Sequence, residues 1–492
     1  MKIPSVCLCV VSLFAAAGRA GDVGTAALKL DLGGALRMSL AKNFSIESQR
    51  YVPRIALQSL RAELGAFDPT ISFSARRQEK TQGDLFESGR HERFRLVTQG
   101  DVFGGGLSGR LPWGMTYDFG LKTTGAFRPS EGVADSFTSS ADLIFRQPLL
   151  KGAGLDANLA QVRIARLNLQ VSQWDLRQKV IDTLTQTVFV YNELYLAHEN
   201  LRVAVRSRGL ARQLLADNIR RAEVGVMSPL NITTARAEAA AREEFVLLAE
   251  RQVKDNENFL KQLVTNDVER ILRMRVEISP PVAPRFEADV KGGIRVGLEL
   301  RPDFRSALLV IERRKINLVY AKNQALPRLD LEASVGLLGV DGSYRGSVDR
   351  TLRRDQTDWS AGVVFSVPIP NREALAGAES ARLESTRALV ELKRLEQQVV
   401  VEVDNASGQV TTARERITST GEARKLALES LEAGEERLRA GTGTTFEVLE
   451  LQKRLAEAEA AELRARSDYN KAVAGYYRET GTSLKMYGVE VE

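Results

Sequence analysis

Two carboxylates, Glu447 and Glu450, stand three residues apart just after a Gly-Thr-Gly break at 441–443. On a helix that spacing puts both on one face. Carboxylates gathered on one face repel each other, attract cations or need basic partners. If copies of the chain assembled about an axis, the pairs would crowd into a ring at one tip. A plainer reading stands beside this one. Thr444-Thr445-Phe446-Glu447 is a Thr-x-x-Glu capping box, and an acid in a first turn suits the helix dipole in any case.

Other chemistry has little to work with. The chain of 492 residues has two histidines, His91 and His198, and two cysteines, Cys7 and Cys9. His198 lies in a helical stretch beside Glu199 and reads as a surface or packing residue. No metal-ligand spacing is present, and the Gly-Gly-Gly at 104–106 is not followed by the Lys-Ser/Thr helix start of a phosphate loop. The expectation is therefore no enzyme, no metal and no cofactor. Basic and acidic residues number 69 and 63, interleaved along helical stretches. That pattern describes solvated, ion-paired faces, with no compact basic cluster of the kind nucleic acid requires.

The first twenty residues, MKIPSVCLCVVSLFAAAGRA, carry a Lys, then an apolar stretch, then small residues. This is a secretory signal peptide, too short to span a bilayer. It takes both cysteines with it, so the exported chain has no thiol chemistry. No later segment has the roughly 18 continuous apolar residues of a membrane helix. If the chain crosses a membrane, it does so with strands.

The elements that position the glutamates are long helices. Past Gly154 the chain runs to residue 222 without proline and with a single glycine, Gly209. At about 1.5 Å per residue that is a rod near 100 Å. Val180, Leu184, Val188 and Tyr191 form a narrow stripe, as do Leu392, Leu395, Val399 and Val403. Gly225 and Gly441 suit the left-handed position past a helix end. Ser228, followed by Pro229, and Thr444 are the caps that restart a helix. Each tip is then a tight turn between two antiparallel helices. Alternating stretches such as TISFSARRQ, MTYDFGLKT, FTSSADLIFRQ, LDLEASVGL and WSAGVVFSV read as strands, long enough to cross a bilayer or to form a small sheet with one wet face.

The chain is also a duplication. Residues 41–73 resemble 299–331, with Asn43 on Arg301 and Pro69 on Pro327; Pro148 falls on Pro368 and Gly225 on Gly441. Pro69 to Pro148 is 79 residues, whereas Pro327 to Pro368 is 41. The first copy thus has room for an extra hairpin, and DVFGGGLSGRLPWGMTYDFGLKTTG at 101–125 fits it.

In this order, GGALRMSLAKN, GAFDPTISFSA, FRQPLLKGAG, EVGVMSPLNITTARAE and GTGTTFEVLELQKRL resemble the TolC-like outer-membrane efflux proteins over nearly the whole exported chain. The resemblance implies a mixed α and β fold: a long antiparallel α-helical barrel in the periplasm and a transmembrane antiparallel β-barrel shared by a homotrimer, four strands from each chain and twelve in all. It divides the chain into a leader at 1–20, N-terminal helices at 21–67 and first-repeat barrel strands with the extra hairpin at 68–148. A first long helical hairpin at 149–267 and a linker with second-repeat helices at 268–326 follow. Second-repeat strands occupy 327–368, a second long hairpin 369–483 and a C-terminal tail 484–492. The implied function is an outer-membrane exit duct working with an inner-membrane pump and a periplasmic membrane-fusion adaptor. The adaptor contact would fall on Val224, Gly225, Val226, Met227, Gly441, Thr442 and Gly443, and an acidic constriction on Glu447 and Glu450. The family often has Asp at the constriction. Ala20 and Gly21 stand where lipidated members carry Cys, so no lipid anchor is expected. The alternative is a soluble periplasmic coiled-coil scaffold or adaptor, which would leave the alternating strands without a role.

Overall fold

The computed structural model describes residues 27–85, 94–127, 135–225, 228–267, 269, 275–282, 286–287 and 289–489. The segment at 1–20 that the sequence reads as a leader, His91, and the tip residues Val226 and Met227 lie outside the described residues. The described residues divide into two compact units: those within 27–43, 186–285 and 413–471 form one, and those within 44–185, 286–412 and 472–489 the other.

In the first unit, β1 (Ala27–Leu30) and β6 (Arg275–Ile278) pair in parallel, Leu28 against Val276. Helix α1 (Leu32–Lys42) starts on Asp31, whose carboxylate accepts from Gly34 N–H at 3.0 Å. Residues of α4 (Ala160–Glu223) and α5 (Pro229–Val264) close over this ribbon, so that Leu30, Tyr191, Leu194, Leu260, Val264 and Val276 form one buried cluster. The Tyr191 hydroxyl lies 2.7 Å from the Ser279 carbonyl and 3.1 Å from that of Leu30, and burial pushes its pKa up to about 12. Asn43 ends α1, and its side-chain amide donates to the Leu263 carbonyl at 3.2 Å.

The second unit holds a six-stranded sheet, β2 (Thr70–Leu85), β3 (Phe94–Arg110), β4 (Thr116–Phe127), β5 (Ser136–Pro148), β7 (Arg328–Asp341) and β8 (Gln356–Ser366), in that order and antiparallel throughout. The extra hairpin of the first repeat is β3–β4, turning at Gly114 (φ +101°) and inserted in the sheet between β2 and β5. The sheet of this one chain therefore has six strands, where the resemblance implies four. Helix α2 (Phe44–Leu64) precedes the sheet, while α3 (Gly154–Asn158) and α4 follow β5.

The second repeat begins with α6 (Val290–Leu300), started by Asp289 as α1 is by Asp31: its carboxylate accepts from Gly292 N–H at 3.1 Å. Arg301, the counterpart of Asn43, ends α6 and begins α7 (Pro302–Gln324). After β8 come α9 (Arg372–Arg439), α10 (Thr445–Glu479) and α11 (Ser483–Met486), the last running from the end of the segment read as the second hairpin into the one read as a tail. The stripe residues Val180, Leu184, Val188, Tyr191, Val399 and Val403 are buried, while Leu392 and Leu395 are half-buried.

Between β7 and β8 lies a helix where the sequence reads only strands, α8 (Tyr344–Leu352), capped by Ser343. It packs on the sheet. The Tyr344 ring is 4.3 Å from that of Phe137, and Thr351 Oγ1 donates to the Ser139 carbonyl at 2.9 Å. Gly339 makes the approach possible, since a Cβ there would strike the Ser347 carbonyl and the Thr351 backbone. Among the described residues, no helix is long and apolar enough to cross a membrane.

Candidate functional site at the helix tips

The two tips belong to the same unit, and the structure brings them together. Near the first, Asn218 and Arg221 of α4 reach toward the second. Thr445 Oγ1 lies 3.5 Å from Asn218 Oδ1, and Arg221 Nη1 lies 3.5 Å from the Leu438 carbonyl. Below them Leu214, Leu431, Val448, Leu449 and Leu455 form a small buried cluster. Val448 and Leu449 face that cluster and fix the rotation of α10, which directs Glu447 and Glu450 outward.

Both turns depend on glycine in the left-handed region, Gly225 at φ +79° and Gly441 at φ +78°. At the second tip, Thr442 and Gly443 N–H both donate to the Arg437 carbonyl at 3.0 Å, closing the end of α9. Gly443 lies so close to that helix end that a Cβ would meet Leu438 N at 2.9 Å. Gly441→Ala is expected to cost about 1–2 kcal/mol at this turn, because an L side chain disfavours positive φ. Faster amide exchange confined to 437–447 is the readout, and unchanged exchange there would refute it.

The caps form in part as the sequence suggests. Ser228 Oγ accepts from Leu230 N–H at 3.3 Å, and Thr444 Oγ1 from Glu447 N–H at 3.2 Å. The Glu447 carboxylate accepts instead from Arg437 Nη1 at 2.7 Å, across the turn. Glu450 accepts from Arg454 Nε at 3.2 Å, one turn further along its own helix. The two acids are thus each matched by an arginine within their own chain. All four side chains are a third or more exposed, so each pair contributes little stability. Their effect is electrostatic: the arginines lower the negative potential that Glu447 and Glu450 present.

Val224 and Leu230 are 74% and 71% exposed at the first tip, and Phe446 is 70% exposed at the second. Of these, Leu230 and Phe446 were not singled out from the sequence. Nor were Arg437 and Arg454. Arg454 follows Glu450 at i+4, a legible ion-pair spacing. Arg437 lies ten residues before Glu447, and only the turn geometry brings it back. His198 is half-buried on α4, where burial lowers its pKa. Among the described residues, no group of three or more His, Cys, Asp or Glu is arranged to hold a metal.

Comparison with known proteins gives a consistent picture. The profile of the outer membrane efflux protein family matches residues 294–482. The chain is 24% identical over 361 residues to a pyoverdine export outer membrane protein, OpmQ, of Pseudomonas putida, an alignment covering 72% of each chain. Among solved structures it is similar to the Campylobacter jejuni CmeC outer membrane channel, with a TM-score of 0.70 and 18% identity over 92% of this chain and 86% of that one. It is also similar to the Vibrio cholerae outer membrane protein VceC, with a TM-score of 0.68 and 16% identity over 92% and 96%.

Proposed function

We infer that this chain, a TolC-like outer-membrane efflux protein, forms the exit duct of an efflux or type I secretion system. It passes substrate from an inner-membrane pump through the periplasm to the outside. The observation that carries this reading is a duplicated chain joining an antiparallel sheet, apolar on one exposed face, to two long helical hairpins. A sheet with two open edges cannot stand alone in lipid. Closure therefore requires further copies, and the reading takes a homotrimer. The tips are the end that meets a periplasmic membrane-fusion adaptor, through Val224, Gly225, Val226, Met227, Gly441, Thr442 and Gly443. The exposure of Val224 supports this, because an apolar side chain at a turn gains by being covered.

Glu447 and Glu450 form the constriction in this reading. Grouped about an axis, they hold a cation-attracting ring that Arg437 and Arg454 moderate. Glu447→Gln with Glu450→Gln is expected to reduce cation selectivity and relieve divalent block in planar-bilayer recordings. Arg437→Gln is expected to deepen both. Identical currents in all three proteins would remove the glutamates from the gate. Absence of any current from folded protein would overturn the duct reading itself.

A further inference from the structure

The β3–β4 hairpin is not an appendage of the sheet. Both strands pair along their length with neighbours on either side, β3 with β2 and β4, β4 with β3 and β5. Their side chains continue a pattern that crosses the whole sheet. One rung, read through the register, is Ile71, Leu107, Phe119, Leu143, Val335 and Trp359, one residue from each strand. Apart from the half-buried Leu143, all are exposed to between 37% and 85% in the single chain. The next rung, on the opposite face, is Ser72, Gly106, Gly120, Asp142, Gly336 and Asp358. The first face suits lipid and the second suits water.

We propose that all six strands of each chain cross the membrane, so that a three-chain barrel has eighteen strands and not twelve. The inference rests on the outer-membrane reading above. The shortest strand of the six is β8 with 11 residues, and β3 and β4 have 17 and 12. About 9–11 residues suffice to span a bilayer. Helix α8 covers this face further along the strands, at Phe103, Phe127, Phe137 and Ser139, whereas Leu107 and Phe119 stay exposed in register with Leu143 and Val335. Closure is also compatible. With six antiparallel strands per chain, β8 of one copy meets β2 of the next running in the opposite direction.

Barrel diameter grows roughly linearly with strand number, so the bore is about half again as wide as that of a twelve-stranded barrel. The water-facing rung described above is half glycine, so at that level few side chains reach into the bore. The membrane wall then places no size limit on cargo, and selection by size falls to the helical part.

The test uses cysteines introduced singly at Leu107, Phe119, Leu143 and Val335, since the chain past its leader has none. A fluorophore on each is read in liposomes containing brominated lipid. Quenching at all four is expected. Quenching at Leu143 and Val335 alone would overturn the proposal and keep the barrel. Quenching at none would sink the outer-membrane reading on which it rests. A cryo-electron reconstruction in nanodiscs, viewed along the barrel, should count eighteen strands; twelve would refute the proposal.

Discussion

Replacing Arg301 with methionine is expected to destabilise the fold by about 3–5 kcal/mol, as removing one partner of a buried charge network does. Arg301 is 8% exposed. Its guanidinium reaches Asp303 Oδ2 at 2.7 Å, Glu402 Oε2 at 2.7 Å and Glu479 Oε2 at 3.1 Å. It thereby ties the α6–α7 junction to α9 and to the end of α10. Burial opposes its charge, but Asp303 and Glu402 outweigh that and hold its pKa above the ordinary value. The acids differ. Burial raises Glu402, yet Gln398 and Arg301 together bring it below the usual range, whereas Glu479 is raised by burial and by its neighbour Glu402.

Without the arginine, Glu402 keeps only the Gln398 amide and Glu479 only Arg478, and the two half-buried carboxylates face each other without the cation between them. The thermal midpoint of purified protein should fall markedly. Adding Glu402→Gln and Glu479→Gln to the methionine variant should restore part of the loss, because the buried like charges go with it. Arg301→Lys should fall between, since an ammonium lacks the planar fork. A midpoint unmoved by Arg301→Met would show the network to be decorative. Arg382→Met, at the exposed pair with Glu379, is the control that should leave the midpoint in place.

Arg301 also shows how far the sequence could be read. Its alignment with Asn43 is visible in the repeat of 41–73 on 299–331, and the structure extends the same offset back to Asp31 and Asp289. The structure gives both positions one task. Asn43 bonds the Leu263 carbonyl near the end of α5, and Arg301 lies 3.3 Å from the Glu479 carbonyl at the end of α10. The chemistry differs because Glu402 and Glu479 arrive from far along the chain, and no local pattern announces them.

The same division runs through the fold. Long helices and glycine tips were legible because period and capping are local signals. The paired four-residue strands ALKL and RVEI were not, since so few residues hold no periodicity. Helix α8 was hidden by its length of nine residues, though Ser343 with Gly346 is a cap signal in hindsight. The extra hairpin could be counted from the repeat, but its place between β2 and β5 depends on pairing across the chain.

Glu257→Gln is the second large effect, again about 3–5 kcal/mol. Lys261 is fully buried on α5, and its Nζ lies 2.8 Å from Glu257 Oε1. The same oxygen accepts from Val276 N–H at 3.1 Å, so the carboxylate also fastens β6 to α5. An amide keeps the shape and an acceptor for Val276 but leaves the ammonium without its anion. Burial alone would raise the Glu257 pKa. The Lys261 ammonium 2.8 Å away, with Val276 N–H and Lys254, outweighs it and leaves the pKa below the ordinary 4.5. A depressed folded pKa means the unfolded chain takes up the proton first as pH falls. The stabilisation is therefore complete above the unfolded pKa and is lost as pH drops from about 4.5 through the folded value. Wild type and Glu257→Gln should accordingly differ most near neutrality and converge in acid. Parallel stability curves across that range would mean that the pair does not act as a charge pair. Glu257→Gln with Lys261→Met should recover most of the loss, because apolar burial replaces the uncompensated charge in the cluster around Leu260 and Val264.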